Sequence, residues 1–266
     1  MKEIKFNVGV IQMKVEFGSP DKNIEKVKKL VKKATKKDIN AVILPEMWNT
    51  GFFPENVDEL ADKEGQVTKE LFSDLSRKYD VNIIGGTVAN VVDNRVMNTS
   101  YVFNRSGELV ADYSKTHLFT HSGEDDYFDA GDHLTVFNLD GVKCSLAVCY
   151  EVRFPELFRT LALKDALINF VPAQWPLKRN DHWRTLLKTR AIENQNFVVG
   201  VNASGVTDDG LELGGHSACI DPWGKRLHEA GKEQEIFYSE LDLSVVEDIR
   251  SSINVFEDRR TELYEI

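Results

Sequence analysis

Apolar and polar residues alternate between positions 4 and 12, with Ile4, Phe6, Val8 and Val10 set against Lys5, Asn7 and Gly9; this predicts a strand with one buried face. The period then changes. Ile24, Val27, Leu30, Val31 and Ala34 recur at helical spacing, and Ser19-Pro20 supplies an N-cap followed by a first helical residue. A short apolar strand at 41–44 runs into Pro45-Glu46, and a helix at 68–79 carries Leu71, Phe72 and Leu75 on one side. Strands are expected at 81–89 and 98–104, with Asp93-Asn94 as the turn between them. Another strand at 142–149 is followed by a helix that opens at Pro155 and runs to about Lys164. A strand at 166–171 precedes a helix at 181–194 with Trp183, Leu186, Leu187 and Ala191 on one face; strands at 197–201, 216–221 and 235–241 complete the reading. Helices placed between strands, with some hairpins, make this a mixed α/β chain.

Composition narrows the class. The chain has 266 residues, 42% of them hydrophobic, and its seven prolines are scattered with no linker-like stretch, so 1–266 is expected to form one domain. A net charge of −10 repels phosphate backbones and anionic lipid, which argues against nucleic acid and membrane surfaces as partners. The lysines between 22 and 37 belong to the solvated side of the first helix. No apolar run is long enough for a bilayer, and the first twelve residues lack the apolar centre of a signal peptide, so a cytoplasmic location is expected. Three cysteines, Cys144, Cys149 and Cys219, do not make a disulfide framework and are read as free thiols. Strand alternation would put Cys144 and Cys149 on opposite faces, which argues against a two-thiol redox pair.

Three residues combine position with chemistry. Cys149 ends an apolar strand just before a helix, where a nucleophile is exposed and backbone N–H groups can face an oxyanion; a small buried core residue is the plain alternative. Glu46 follows a fully apolar strand, and apolar surroundings would raise its pKa into the range of a general base; taken alone, its position favours a surface loop glutamate. Lys115, in an aromatic and apolar setting, could be a fixed positive charge beside an oxyanion or a strand-end lysine reaching water. Together they form a nucleophile, a base and an electrostatic stabiliser, the set that acyl transfer needs.

Leu44-Pro45-Glu46, Tyr113-Ser114-Lys115-Thr116-His117-Leu118 and Val148-Cys149-Tyr150-Glu151-Val152-Arg153-Phe154-Pro155-Glu156 resemble, in that order, the three signature segments of the nitrilase (carbon–nitrogen hydrolase) superfamily. Pro172-Ala173-Gln174-Trp175-Pro176, Arg190-Ala191-Ile192-Glu193-Asn194-Gln195, Asp221-Pro222-Trp223-Gly224 and Asp258-Arg259-Arg260 carry the likeness along almost the whole chain. The resemblance implies a four-layer αββα sandwich, a homodimer formed through the helices around the nucleophile, and a mechanism without metal or cofactor. It implies catalytic roles for Glu46, Lys115 and Cys149. A further family glutamate matches Glu124 by its distance from Gly131, in competition with a solvated acidic loop that includes Asp125 and Asp126.

The cysteine segment, with Gln174-Trp175-Pro176 and His182-Trp183, resembles the ω-amidase branch, which implies removal of the terminal amide of 2-oxoglutaramate or 2-oxosuccinamate. Substrate binding is assigned to Tyr150, whose N–H follows the nucleophile, to Arg153 and to Trp175. Arg153 suits a far carboxylate, or else pairs internally with Glu151 or Glu156; Trp175 walls the pocket or belongs to the core. Related alternatives are a deaminated glutathione amidase and an N-carbamoyl amino acid hydrolase. Rivals outside the family are a metal-dependent phosphoesterase using Asp208, Asp209 and His216, a thiol protease with His117 or His182 as base, and a catalytically silent metabolite-binding protein.

Overall fold

The computed structural model describes residues 5–52, 54–207 and 210–264. Met1 to Ile4, at the start of the first predicted strand, lie outside the described residues. In chain order the strands begin with β1 (Lys5–Gln12), β2 (Ala41–Ile43), β3 (Asp62–Lys63), β4 (Asn82–Ile84), β5 (Val88–Val92), β6 (Arg95–Phe103), β7 (Leu109–Ser114) and β8 (Val136–Leu139). They continue with β9 (Val142–Leu146), β10 (Ile168–Ala173), β11 (Phe197–Asn202), β12 (Ser204–Val206), β13 (Glu212–Gly214), β14 (Ala218–Ile220), β15 (Arg226–Glu229) and β16 (Glu235–Asp242). The α-helices are α1 (Pro20–Ala34), α2 (Val57–Leu60), α3 (Gln66–Tyr79), α4 (Pro155–Leu163), α5 (Asn180–Asn194) and α6 (Ser244–Ser252).

One sheet has the order β16-β1-β2-β4-β6-β5-β3, with β7 also paired to β6, and a second has β15-β14-β11-β10-β9-β8. Alternation along the first sheet sorts its side chains between two cores. Val8, Val10, Ala41, Ile43 and Ile84 face the second sheet, packing with Cys144, Leu146, Ile168 and Phe170. Ile11, Val42, Leu44 and Ile83 face the other way, against Val27, Leu30, Val31 and Ala34 of α1 and Leu71, Phe72 and Leu75 of α3. Leu157, Phe158 and Leu161 of α4, with Trp183, Leu187 and Ala191 of α5, join the core on the second sheet's side. The layers therefore run helix, sheet, sheet, helix, the predicted αββα sandwich. Central β10 and β11 are buried along their whole length, as parallel strands covered on both faces must be.

Local chemistry accounts for the departures from the predicted elements. The strand expected at 81–89 is two strands, because the chain bends at Gly85-Gly86. Gly86 has φ +62, and a Cβ there would stand 2.0 Å from the Pro45 carbonyl, so the bend presses the backbone against the loop that carries Glu46. Asp93 and Asn94 both take positive φ (50° and 61°), the hairpin turn that those residues favour. Ser19 is the N-cap of α1, but its hydroxyl donates to the Phe17 carbonyl rather than accepting from the helix.

Candidate active site

Glu46 is delivered by the end of β2, where Leu44-Pro45 leaves the sheet. The loop is clamped to the bend after β4: Met47 N–H donates to Thr87 Oγ1 (2.9 Å), Trp48 N–H to the Thr87 carbonyl (3.0 Å) and Thr87 N–H to the Pro45 carbonyl (3.1 Å). The Glu46 side chain is fully buried. Its surroundings are donors, which corrects the expectation of an apolar pocket: Oε1 accepts from Asn98 Nδ2 (2.9 Å) and Lys115 Nζ (3.0 Å), and Oε2 from the Gln174 backbone N–H (2.8 Å).

Lys115 follows β7. Its N–H donates to the Asn98 carbonyl (2.9 Å), and its carbonyl accepts from Gly131 N–H (2.8 Å). Gly131 has no room for a side chain, since a Cβ would meet the Ser114 carbonyl at 2.1 Å. The ammonium is fully buried between Glu46 and Glu124, 2.9 and 2.7 Å from the two oxygens of Glu124. Burial works against its charge, but the two carboxylates outweigh it and hold Lys115 above the ordinary lysine range. Glu124 is thus in the cluster and not on a solvated acidic loop. It also accepts from the Phe119 N–H (2.7 Å), and Asn98 Nδ2 reaches it at 3.2 Å while bonding Glu46. Asn98, on β6, is the bridge between the carboxylates that sequence reasoning missed.

The apolar strand before Cys149 ends sooner than expected, at Leu146. Cys149 starts a 3-10 turn that runs to Arg153 and leads into α4, and its φ is +48, left-handed and strained for a residue with a Cβ. The alternation argument separating Cys144 from Cys149 therefore does not apply, since the strand stops between them; both are free thiols. Such an elbow points the side chain out of the sheet and leaves the first N–H groups of the turn without intrahelical acceptors. Burial first, then the Glu46 carboxylate, push the Cys149 thiol well above its ordinary value, against the pull of Lys115. Burial and Glu46 thus favour the thiol over the thiolate, which gives a base beside it a proton to accept. Counting formal charges, Glu46, Lys115 and Glu124 already sum to −1, so an uncompensated thiolate would be a further negative charge in a buried site.

Cys149 opens into a cavity of about 610 Å³ whose walls include Phe52, Phe119, Tyr150, Arg153, Gln174, Trp175, Arg179 and Leu213, with exposed Glu55 also lining it. All three residues expected to bind substrate, Tyr150, Arg153 and Trp175, line it. Trp175 is wall and core at once: it is 3% exposed, donates from Nε1 to the Arg179 carbonyl (2.8 Å) and packs on Trp183. Arg153 does not pair with Glu151. Its guanidinium lies over the Trp175 ring (4.8 Å to the centroid) with Nη2 3.3 Å from His182 Nδ1. Among the described residues neither Arg153 nor Arg179 forms an ion pair with a carboxylate. Arg179, stacked over Phe119, is a second cavity cation that sequence reasoning missed. Glu151 is instead buried under the cysteine turn, facing Tyr113, Thr116 and His117.

The two histidines of the rival readings have other partners. His117 stacks on Phe154 and faces Thr116 and Glu151, and His182 faces Arg153. Asp208 and Asp209 lie outside the described residues; among the described ones no group of three or more His, Cys, Asp or Glu side chains is arranged to hold a metal ion.

Comparison with known proteins covers almost the whole chain. The carbon-nitrogen hydrolase family model matches residues 7–251. A 2-oxoglutaramate amidase from Bacillus subtilis is 41% identical over 261 residues, covering 98% of this chain and 100% of its own. An omega-amidase from Mus musculus is 31% identical over 275 residues, covering 98% and 97%. Among solved structures, a CN-hydrolase superfamily protein from Xanthomonas campestris, with an arsenic adduct in its active site, superposes with a TM-score of 0.91 at 26% identity, over 96% of this chain and 97% of its own. With a family model spanning most of its length and a full-length relative at 41% identity, the chain belongs to the carbon–nitrogen hydrolase family of the nitrilase superfamily.

Proposed function

We propose that the protein is a thiol-dependent ω-amidase that hydrolyses a small carboxylate-bearing amide, 2-oxoglutaramate or 2-oxosuccinamate, to the dicarboxylic 2-oxo acid and ammonia. The observation that carries this reading is the buried Glu46–Lys115–Glu124 cluster beside Cys149, on the wall of a cavity that also presents Arg153 and Arg179.

In this reading Glu46 accepts the thiol proton as Cys149 sulfur attacks the amide carbon. The developing oxyanion is stabilised by the Lys115 ammonium and by the Tyr150 N–H at the start of the helical turn. Glu46 returns the proton to the departing nitrogen and ammonia leaves a thioester on Cys149. The same carboxylate then activates water, which cleaves the thioester, releases the acid and restores the thiol. Glu124 and Asn98 hold Lys115 and Glu46 in register, so the cation that meets the oxyanion is in place before substrate arrives. Arg153 and Arg179 supply two guanidinium groups for the far carboxylate, and that carboxylate would neutralise part of a wall otherwise left positive.

The same reading includes a homodimer through α4 and α5, where Leu163 and Ile192 are exposed apolar residues, and a location in the reducing cytoplasm, which keeps an unpaired nucleophilic thiol functional. No helix among the described residues is long and apolar enough to cross a membrane. The test is ammonia release from 2-oxoglutaramate, with Cys149→Ala in parallel: release by the native chain alone supports the reading. Release by neither, with turnover of another amide by the native chain, would retain the thiol mechanism and reject the substrate.

A further inference from the structure

Glu151 stands two residues from the nucleophile, is fully buried and touches neither the cavity nor the reacting sulfur. Its carboxylate is nonetheless among the most heavily hydrogen-bonded groups in the molecule. Oε1 accepts from the Thr116 N–H (2.9 Å), the Thr116 hydroxyl (2.7 Å) and the His117 N–H (3.1 Å). Oε2 accepts from the Val148 N–H (2.6 Å), while the Tyr113 hydroxyl lies 2.7 and 2.9 Å from the two oxygens. His117 Nδ1 stands 3.4 Å from Oε1.

The two sets of donors belong to different parts of the catalytic apparatus. Tyr113, near the end of β7, and Thr116 and His117, on the loop after it, flank Lys115, whereas Val148 immediately precedes Cys149 at the strained elbow. One oxygen therefore grips the lysine loop and the other grips the cysteine turn, across a separation of 35 residues in sequence. A buried carboxylate is costly unless fully bonded, and here every donor that satisfies it comes from a segment bearing or adjoining a catalytic side chain. A simple packing role would not require that division.

We propose that Glu151 is a positioning residue: a charged strut that fixes the distance between the Lys115 ammonium and the Cys149 sulfur, and so sets both the reactivity of the thiol and the stabilisation of the oxyanion. This rests on Cys149 as nucleophile and Lys115 as its counter-charge, and is independent of which amide is the substrate. A glutamine in its place has the same shape but one acceptor and one donor. It can hold the Thr116–His117 side or the Val148 side, and the other side then meets an N–H group facing an N–H group.

The experiment is alkylation of Cys149 by iodoacetamide as a function of pH, followed by mass spectrometry of the cysteine peptide, for the native full-length protein and for Glu151→Gln. Among the charged groups acting on the thiol, Lys115 and Arg153 favour its ionised form and Glu46 and Glu124 oppose it; of the two cations only Lys115 is flanked by the residues that Glu151 holds. Loss of the strut lets Lys115 move away, so the profile shifts to higher pH and alkylation at pH 7 slows about tenfold, the effect of a one-unit rise in the thiol's titration. Amide turnover falls about 10–100-fold in kcat with a smaller change in KM, because Glu151 itself does not line the cavity. Thr116→Val, which removes a single hydroxyl donor to Glu151, shifts the profile in the same direction by a smaller amount and provides the test should Glu151→Gln not fold. A folded Glu151→Gln with the native profile and kcat overturns the proposal, as does a native Thr116→Val profile alongside an unfolded Glu151→Gln. If the native protein's Cys149 is not alkylated at all, the failure lies with the nucleophile assignment instead.

Discussion

Replacing Lys115 by Met removes the ammonium and leaves its stem in place. The consequence follows from burial: Lys115 Nζ lies 3.0 Å from Glu46 Oε1 and 2.7 Å from Glu124 Oε2, and all three side chains are fully enclosed. The variant strands two carboxylates without their cation, and breaking a buried ion pair by removing one partner costs about 3–5 kcal/mol. In a chain of this size each kcal/mol moves Tm by roughly 2–4 °C, so the melting temperature should fall by about 6–20 °C. The catalytic loss is separate. Removing one oxyanion donor typically costs about 10²–10³ in kcat. Calorimetry and steady-state ammonia release read the two effects independently, and the double variant Lys115→Met/Glu124→Gln tells them apart. Deleting one of the stranded charges should recover part of the lost Tm while kcat stays low, since the donor is still missing. A single variant that melts with the native protein and keeps kcat within about threefold would refute both the energetic and the catalytic reasoning.

Arg153→Ala and Arg179→Ala should each raise KM for 2-oxoglutaramate by about tenfold or more, with much smaller effects on an uncharged amide of similar length; equal losses on both substrates would remove the carboxylate role. The cysteine elbow makes an unusual stability prediction: at φ +48 glycine is relaxed and alanine is strained, so inactive Cys149→Gly should be more stable than inactive Cys149→Ala by about 1 kcal/mol, measured by urea unfolding. Glu151, although burial opposes its charge, is held below its ordinary value of 4.5 by His117, Thr116, Tyr113 and the Val148 N–H. A depressed carboxylate contributes stability that is complete above its unfolded pKa and is lost as pH falls through the folded one. Native unfolding free energy should therefore drop on acidification below about pH 4.5, and that drop should be shallower in Glu151→Gln; parallel curves would contradict it. Lys115 has the opposite sign, since its raised value means a contribution complete below 10.5 and lost only above it, so it adds no slope near neutrality.

Much of this was legible in the sequence, for identifiable reasons. The buried strand at Ala41-Val42-Ile43 follows from its unbroken apolar run, as a strand covered on both faces requires, and α1 and α3 follow from their apolar stripes. Elements with weak patterning escaped. Strands β12, β13 and β15 and the helix α6 bury few apolar side chains, and their formation depends on neighbours distant in the chain. Glu46, Lys115 and Cys149 stand in recognisable segments, and Glu124 could be placed by its spacing. Asn98 could not be found in that way, and Gln174, although it stands in a recognisable segment, gave no sign of its contact with Glu46. Gln174 meets Glu46 across 128 residues, and an asparagine in the middle of a strand gives no sign that its amide will bridge two buried carboxylates. The apolar setting inferred for Glu46 failed for the same reason: Leu44 and Trp48 pack away on the helix side of the sheet, and the carboxylate meets groups brought from elsewhere in the fold.

The account depends most on Cys149 forming a bond to the acyl carbon while Glu46 handles the proton. Rapid acid quenching of the native protein during turnover of 2-oxoglutaramate, followed by mass spectrometry of the cysteine peptide, tests this directly. The predicted result is a peptide heavier by the mass of 2-oxoglutaric acid less one water, carried on Cys149 and absent from Cys149→Ala and Glu46→Gln. Ammonia release without any such adduct, at a rate that Cys149→Ala matches, would contradict it.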